Sequence, residues 1–391
     1  MPRQSVVVAL LLAATALVYA PTWTYGFVYE DMNAAIQNPA VLGHVPIDLT
    51  RARWLSEVTH RLNYLMTGDR PGPFHATNVG LHLVNGVLVY QIGLVIAAPE
   101  TAVLAMGIFL LHPIQTEAVA YVSSRSELLS TLFALWAFLL SLTTGVGWRG
   151  IARWVSIGVL ITAAVCAKES AAVVVPLIAM AAYFRGRRVS WLTVGALLVP
   201  VAVMAVSVIL KDYTSKAEMG AWHYAALQST ALWRYLFMIV VPVGQSIDHD
   251  FDIVPFWVQV LALGLTAWWI VFLMAMWVGK FRAIWVFGLT WMVIALTPRF
   301  LMRIPEYLNE HQLMMSMCGI SLAAASILMG DPANHRVGRS LTTKERDSYG
   351  VRTQGIPEVS PPLLEGVCAR AGSEGRAGQD TGQRRLVRSE A

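Results

Sequence analysis

Long apolar runs recur along the first 330 positions, separated by short polar or charged stretches. Runs near or above the roughly 18 apolar residues needed to cross a bilayer predict transmembrane helices, and hence an all-α polytopic membrane protein. The stretch 227–243 is interpreted as a re-entrant or interfacial helix, because a further full span there would reverse the orientation of everything after it. The ten predicted spans lie at about 5–21, 74–97, 101–112, 127–144, 151–167, 170–184, 189–210, 255–278, 283–298 and 311–330.

Composition agrees with this fold class and adds detail only at the two ends. The chain has 391 residues, 56% hydrophobic and 14% charged, which is too apolar for a soluble domain of this length. Segment 6–19 could also be the apolar part of a signal peptide, but Pro21, directly after the possible cleavage site, disfavours cleavage. From Asp331 to Ala391, Gly, Arg, Ser, Pro and Glu dominate. This predicts a membrane domain at 1–330 and a disordered cytoplasmic tail at 331–391.

Basic residues in the short loops set the predicted orientation, because Lys and Arg concentrate on the cytoplasmic side. Fifteen of the sixteen acidic residues before the tail then lie outside, and only Glu100 lies inside. Acidic residues avoid the cytoplasmic edge because basic residues occupy it, and this accounts for part of the asymmetry. The same reason accounts less well for Glu117 and Glu310, because ionisable groups near hydrocarbon are usually paired or functional. The residues that mark the cytoplasmic side are Arg3, Arg149, Arg153, Arg185, Arg187, Arg188, Lys280 and Arg282.

The first outer loop, at about 22–73, opens with two adjacent carboxylates, Glu30 and Asp31. Their side chains should point in different directions, so one can act as a base while the other orients a partner or binds a metal. Acidic pairs are common, and a solvated loop is the alternative interpretation.

The second predicted span carries a polar stripe made of His75, Asn78, His82 and Asn85. The spacing of three or four residues places all four side chains on one helix face. Lipid cannot satisfy such a face, so it must contact protein or a wet cavity. Interhelical hydrogen bonding and the lining of a substrate cavity are both open interpretations.

The next outer turns add further ionisable groups at the end of the bundle. His112 and Glu117 are followed by Arg125, whose planar guanidinium suits an oxyanion such as phosphate. Lys168 and Glu169 occupy the next outer turn, where a structural ion pair is the favoured interpretation.

Two later segments reach the same side of the membrane. Asp248 and His249 lie in one, and Glu306, Asn309, Glu310 and His311 lie in the other. Histidine beside carboxylates is compatible with a metal site, but no spacing requires one, and solvated loop charge is the favoured interpretation. The three cysteines show neither metal-ligand spacing nor a disulfide framework.

Taken in order, these pieces resemble the transmembrane and tetratricopeptide-repeat O-mannosyltransferases and their bacterial relatives, within the GT-C glycosyltransferase superfamily. The resemblance covers about residues 5–330 and implies a GT-C-like helix bundle with a long first extracytoplasmic loop. The matching motifs are Phe27 to Asp31 with Asn38-Pro39, Arg61 to Tyr64, Phe74 to Asn85, His112 to Val119, Lys168-Glu169, and Asn309 to His311.

The resemblance implies transfer of a sugar, a hexose such as mannose, from a polyprenyl-phosphate donor to an acceptor hydroxyl on the extracytoplasmic face. A first-loop carboxylate would take the hydroxyl proton, and basic side chains would stabilise the departing phosphate. The family usually has two aspartates where this chain has Glu30 and Asp31, so Asp31 is the favoured base and Glu30 the supporting group. The expected phosphate-binding residues are Arg53, Arg125 and Lys168. The expected substrate-cavity residues are Asn38, His75, Asn78, His82, His112, Glu117, Glu169, Asp248, Glu306, Asn309, Glu310 and His311.

The expected partners are the polyprenyl-phosphate sugar, a protein or glycan acceptor and the lipid bilayer, with no nucleic acid. The sequence indicates no particular cofactor, and a divalent cation stays open as a participant. The resemblance and the lack of an N-glycosylation sequon favour a bacterial inner membrane with the site facing the periplasm or exterior, and the endoplasmic reticulum is the alternative.

The chain shows no tetratricopeptide repeats after residue 330, where relatives would carry them. This leaves two further hypotheses open. One is a transporter or flippase of a lipid-linked substrate, which predicts charges near the middle of spans and internal repeats. The other is an inactive membrane scaffold derived from such an enzyme.

Overall fold

The structure is a computed structural model that describes residues 2–51, 53–143, 147–186, 220–247, 254–278, 283–301 and 308–332, with single positions at 195, 197, 198, 202 and 249. Several predictions fall outside these residues and have no structural test. They are the span at 189–210, the roles of Arg187, Arg188, Lys280, Arg282, Asp248 and Glu306, and the tail beyond 332.

Throughout the described ranges the secondary structure is helical, with no strand. Short 3-10 or π turns occur at Ala20–Thr24, Met32–Ile36, Pro113–Gln115, Val122–Ser124, Glu169–Val173 and Glu310–Leu313. The α-helices are α1 Pro2–Tyr19, α2 Pro39–Leu42, α3 Trp54–Thr67, α4 Pro71–Ile96, α5 Pro99–Leu111, α6 Thr116–Ala120, α7 Arg125–Leu142, α8 Gly147–Ala167, α9 Val174–Phe184, α10 Ala221–Val240, α11 Phe256–Val278, α12 Ile284–Leu301 and α13 Met314–Leu328.

Seven of the described helices are long and apolar enough to cross a membrane. An eighth is obtained if α5 and its continuation Pro113–Ala120, bent by 52°, are counted as one span. Together with the shorter apolar helix Glu169–Phe184, they correspond to nine of the ten predicted spans, and the tenth lies at 189–210. The predicted fold class, an all-α polytopic membrane protein, is confirmed.

Helix α10 is the element interpreted from the sequence as re-entrant or interfacial. It begins at Ala221 rather than near residue 227 and runs without a break to Val240. It packs against α11, where the Trp233 indole donates to the hydroxyl of Thr266 at 3.1 Å. Its path relative to the membrane stays a prediction.

Glycines bring the central helices into close contact. A Cβ atom on Gly288 of α12 would lie 2.2 Å from the carbonyl oxygen of Gly319 in α13, and one on Gly319 would lie 2.5 Å from that of Gly288. No larger residue fits without separating the two backbones. Such contacts between small residues are typical of membrane helices, because dispersion rather than water exclusion holds the helices together.

Asp331 fixes the end of α13 to the start of α5. Its carboxylate accepts hydrogen bonds from the backbone N–H of Ala98 at 2.9 Å and from the hydroxyl of Thr101 at 2.7 Å. It therefore caps a helix that begins more than two hundred residues earlier in the sequence. The described chain thus continues in ordered contact past the predicted domain end at residue 330.

Removing this cap should lower stability. For Asp331→Ala we expect a loss of about 1 kcal/mol, typical of a helix cap, measured as a lower midpoint of thermal unfolding in detergent. The control is Glu100→Ala, which removes an exposed carboxylate from the first turn of the same helix. Equal midpoints for the two variants would contradict the capping role.

Candidate active site

One end of the helix bundle contains a cavity of about 460 Å³. Its wall combines the first loop, the segment 117–130, the segment 168–173, the end of α12 and the segment 309–315. Glutamate, lysine and arginine side chains line the cavity together with the apolar residues Ala171, Val173, Ala295 and Met315. Motifs that lie far apart in the sequence therefore meet in one place, as the predicted orientation requires.

Glu30 and Asp31 point in different directions, as expected, but only Glu30 reaches the cavity. The Glu30 side chain is exposed and belongs to the cavity wall. Asp31 is fully buried, and its two carboxylate oxygens accept backbone N–H groups from Val28 at 3.2 Å and Ser123 at 2.7 Å. Burial raises the pKa of Asp31, an effect that these two N–H donors partly offset. Of the two carboxylates, that of Glu30 is open to the cavity, whereas that of Asp31 is bound by the backbone of Val28 and Ser123.

Tyr121 is the second link between the first loop and the bundle. Its hydroxyl accepts the backbone N–H of Glu30 at 3.1 Å, and the loop turns sharply at Tyr29, whose φ is +47°. A positive φ is uncommon for a residue with a side chain, so the loop is held in this shape by its contacts. Asp31 and Tyr121 together fix the backbone from which Glu30 enters the cavity.

Three cationic side chains line the cavity. Arg53 is 43% exposed and donates to Glu169 at 3.1 Å. Lys168 is buried and forms an ion pair with Glu127, and burial lowers the pKa of its ammonium group while Glu127 opposes that shift. The third is Arg299 at the end of α12, 6% exposed. The predicted phosphate-binding residues Arg53 and Lys168 therefore lie in the cavity wall.

Sequence reasoning missed Arg299. The only available signal was its place directly after Pro298, at the outer end of an apolar run. Glu127, two residues after Arg125, is also part of the wall.

The structure argues against Arg125 as a phosphate ligand. Its side chain is 0% exposed and is absent from the cavity wall. The guanidinium donates to the side-chain oxygens of Asn78 at 2.9 Å and Asn63 at 2.6 Å and to the carbonyl of Phe74 at 2.9 Å. Three of its five N–H groups are bound to protein acceptors, and the side chain is fully buried outside the cavity wall, so an anion in the cavity does not reach it.

In the polar stripe of α4, three side chains make hydrogen bonds to other segments of the bundle and one lines a cavity. Asn78 donates to the carbonyl of Tyr121 at 3.1 Å, His82 contacts the carbonyl of Leu110 at 3.1 Å, and Asn85 donates to that of Leu128 at 3.0 Å. These three side chains join segments of the bundle, and Asn78 and His82, which were predicted to line a substrate cavity, belong to the wall of neither cavity. His75 lines a second cavity instead.

Two further predicted cavity residues also have structural contacts. Asn38 caps α2 by accepting the N–H of Ala40 at 2.9 Å. His112 lies within 2.8 Å of the carbonyl of Ile239 in α10 and accepts the N–H of Ile114 at 3.1 Å. Neither residue lines either cavity, because local turns and a neighbouring helix use their polar atoms.

The second cavity, of about 550 Å³, lies beside the first. Glu117, Tyr121 and Ile247 belong to the walls of both cavities and separate them. Glu310 lines the second cavity, whereas Glu169, Asn309 and His311 line the first.

Four ionisable groups meet at the partition between the cavities. The Nδ1 atom of His311 lies 2.6 Å from a carboxylate oxygen of Glu117, and Nε2 of His249 lies 2.7 Å from one of Glu310. The carboxyl groups of Glu117 and Glu310 both line the second cavity. Among the described residues, no group of three or more His, Cys, Asp or Glu side chains is arranged to hold a metal ion.

Fold and site together define an all-α polytopic membrane protein with a cavity, lined by both charged and apolar side chains, at one end of its bundle. Comparisons with known proteins identify its relatives. The chain is 29% identical to protein O-mannosyl-transferase TMTC3 of Homo sapiens over 188 residues, which are 43% of this chain and 20% of that protein. It is 34% identical to protein O-mannosyl-transferase Tmtc2 of Drosophila melanogaster over 180 residues, 40% of this chain and 19% of that protein.

A longer match, 24% identical over 273 residues, links 62% of this chain to 39% of a protein O-mannosyl-transferase of Caenorhabditis elegans. The homologues are therefore protein O-mannosyl-transferases, and the resemblance predicted from the sequence motifs is confirmed. The matched region spans about one fifth of the length of the human and fly relatives. No protein-family model and no solved structure matches the chain.

Proposed function

We propose that this chain is a membrane glycosyltransferase that moves a hexose such as mannose from a polyprenyl-phosphate donor to an acceptor hydroxyl. The observation that carries the proposal is the cavity in which an exposed carboxylate, Glu30, accompanies Arg53, Lys168 and Arg299. The names of the homologues support sugar transfer and favour a protein acceptor over a glycan.

The proposed chemistry uses only side chains of the cavity wall. The acceptor hydroxyl attacks the anomeric carbon while Glu30 takes the hydroxyl proton. The bond from that carbon to the phosphate oxygen breaks, and its electron pair stays on the phosphate. Arg53, Lys168 and Arg299 stabilise the charge that develops there. Asp31 holds the loop that carries Glu30 and touches no substrate.

The apolar residues of the same cavity suit the first isoprene units of the donor. Ala171, Val173, Ala295 and Met315 belong to elements of the helix bundle, so a prenyl chain leaving the phosphate would continue along hydrophobic surface. We place the cavity on the extracytoplasmic face because the short loops at the other end are rich in Lys and Arg. A bacterial inner membrane is the proposed location.

A divalent cation has no assigned place in this scheme. Among the described residues, no group of three or more His, Cys, Asp or Glu side chains is arranged to hold a metal ion. Addition of a chelator to the transfer assay below measures whether a divalent cation contributes to transfer.

The test is a transfer assay with purified protein in detergent, radiolabelled polyprenyl-phosphate hexoses, and Ser- or Thr-containing peptides or glycans as acceptors. We expect labelled acceptor and free polyprenyl phosphate. A wild-type protein that neither transfers nor hydrolyses any donor would overturn the proposal. Reconstitution in vesicles distinguishes the enzyme from a transporter, because a transporter moves the donor between leaflets without transferring its sugar. A protein that binds the donor but neither transfers its sugar nor moves it between leaflets would support the scaffold hypothesis.

Arg53 gives a prediction about donor binding. For Arg53→Gln we expect KM for the donor to rise about tenfold with a smaller change in kcat, because one charged contact to the phosphate is lost. Arg51→Gln is the matched control, an exposed arginine of the same loop that is absent from the cavity wall. An unchanged KM in Arg53→Gln would remove Arg53 from the phosphate site.

A further inference from the structure

The partition between the two cavities contains an imidazole–carboxylate pair that the scheme above does not use. Glu117 contacts His311 twice, through the ring Nδ1 at 2.6 Å and the backbone N–H at 2.9 Å. A carboxylate held in this way fixes both the tautomer and the plane of the ring. Because Glu117 contacts Nδ1, a proton that the ring transfers to a third group would come from Nε2.

The Glu117–His311 pair lies in the wall of the cavity where sugar transfer is proposed. His311 belongs to the wall of the charged cavity, which Glu30 and the three cations also line. Glu117 belongs to both cavities, and the side chains of the pair are 14% and 7% exposed. The imidazole thus lies in the wall of the same cavity as the proposed phosphate site, and the carboxylate that orients it lines both cavities.

A second imidazole–carboxylate pair lies next to the first. Glu310 accepts the backbone N–H of Ser246 at 3.1 Å and lies 2.7 Å from Nε2 of His249. Glu117 and Glu310 both line the second cavity, so the two pairs meet there.

The other ionisable groups near the pair are two tyrosines and one arginine. The Tyr121 ring lies 6.5 Å from the His311 ring. The Tyr235 hydroxyl accepts from the N–H of Asn309 at 2.9 Å, and Arg299 interacts electrostatically with Tyr235. Among the described residues, none of these supplies a second proton carrier as directly oriented as His311.

We propose that His311, oriented by Glu117, is the general acid that protonates the departing polyprenyl phosphate. This inference rests on the proposed function. As the sugar moves, the acceptor hydroxyl gives its proton to Glu30, and the protonated ring of His311 gives one to the phosphate oxygen that receives the electron pair. The acceptor loses one proton and the phosphate gains one, so the site resets when a proton returns from Glu30 to His311 through water. His311 acts as a catalytic residue and Glu117 as a positioning residue.

The test begins with kinetics against pH. For His311→Gln we expect kcat to fall by about 10²-fold with little change in donor KM, within the range of general acid catalysis. Wild-type activity should decline at high pH as the acid loses its proton, and this decline should be absent in His311→Gln. His44→Gln is the matched control, an exposed histidine in the first loop.

Chemical rescue separates a catalytic role from a structural one. Added imidazole should restore part of the activity of His311→Ala, because the free base can occupy the vacated space beside Glu117. The double variant His311→Ala/Glu117→Gln should show no rescue, since the orienting carboxylate is gone. Two results together would overturn the inference. Imidazole would fail to restore activity to a folded His311→Ala protein, and the activity of His311→Gln would still decline at high pH as it does in the wild type. Wild-type transfer in the same experiment would leave the proposed function standing, whereas absent wild-type transfer would refute that function itself.

Discussion

Glu30→Gln is expected to reduce kcat/KM for sugar transfer by about 10²–10⁴-fold while the protein stays folded and binds its donor. The amide has nearly the same shape as the carboxylate but cannot take a proton from the acceptor hydroxyl. The Glu30 side chain is exposed in the cavity, and the structural link of this residue is its backbone N–H, which donates to Tyr121. The substitution leaves that link in place. Transfer rates, donor binding and the unfolding midpoint should be measured together.

Two variants define the specificity of that result. Asp69→Asn removes an exposed carboxylate of the same loop outside the cavity wall and should transfer at the wild-type rate. Glu30→Asp keeps the charge but withdraws it by one methylene, so an intermediate rate is expected. Wild-type transfer by Glu30→Gln would refute its role as the base.

Asp31→Asn provides the comparison between the adjacent acids. Both oxygens of Asp31 accept N–H groups, whereas asparagine offers a single acceptor oxygen, so the contact with Val28 or Ser123 must be lost. A buried N–H left without a partner costs about 1–3 kcal/mol. We therefore expect Asp31→Asn to lower both the unfolding midpoint and the transfer rate. A variant with unchanged stability and no transfer would instead make Asp31 the base, as the sequence analysis had favoured.

The sequence was sufficient for the fold class and for the side of the bundle where the motifs meet. Apolar length predicts spans directly, because each span must satisfy its own backbone within lipid. Charge in the short loops then places Glu30, Lys168 and His311 at one end, and the structure brings these three residues to one cavity.

Individual roles could not be predicted in the same way. Helical spacing puts His75, Asn78 and His82 on one face, but it does not show which face meets a helix and which meets a cavity. Asn78 and His82 bind the backbone of segments more than twenty residues away, whereas His75 lines a cavity. For Glu30 and Asp31 the outcome depends on the contact of Asp31 with Ser123, some ninety positions further along the chain.

Arg125 illustrates the same limit and leads to the largest expected effect on stability. Arg125→Leu should destabilise the protein by several kcal/mol, since Asn63, Asn78 and the carbonyl of Phe74 would lose their donor. Each buried polar group left without a partner costs about 1–3 kcal/mol. The expected result is a much lower unfolding midpoint in detergent and a smaller folded yield. Arg149→Leu, which removes an exposed arginine, is the control and should unfold as the wild type does.

Kinetics of the remaining folded protein distinguish the two roles considered for Arg125. Asn78 holds the carbonyl of Tyr121, and the Tyr121 hydroxyl in turn holds the N–H of Glu30, so loss of Arg125 should disturb the placement of the base. We therefore expect a lower kcat with an unchanged KM for the donor. A stable Arg125→Leu protein with a raised donor KM would restore the phosphate-binding role predicted from the sequence. Because Arg125 is fully buried and lines neither cavity, the structure predicts the first result.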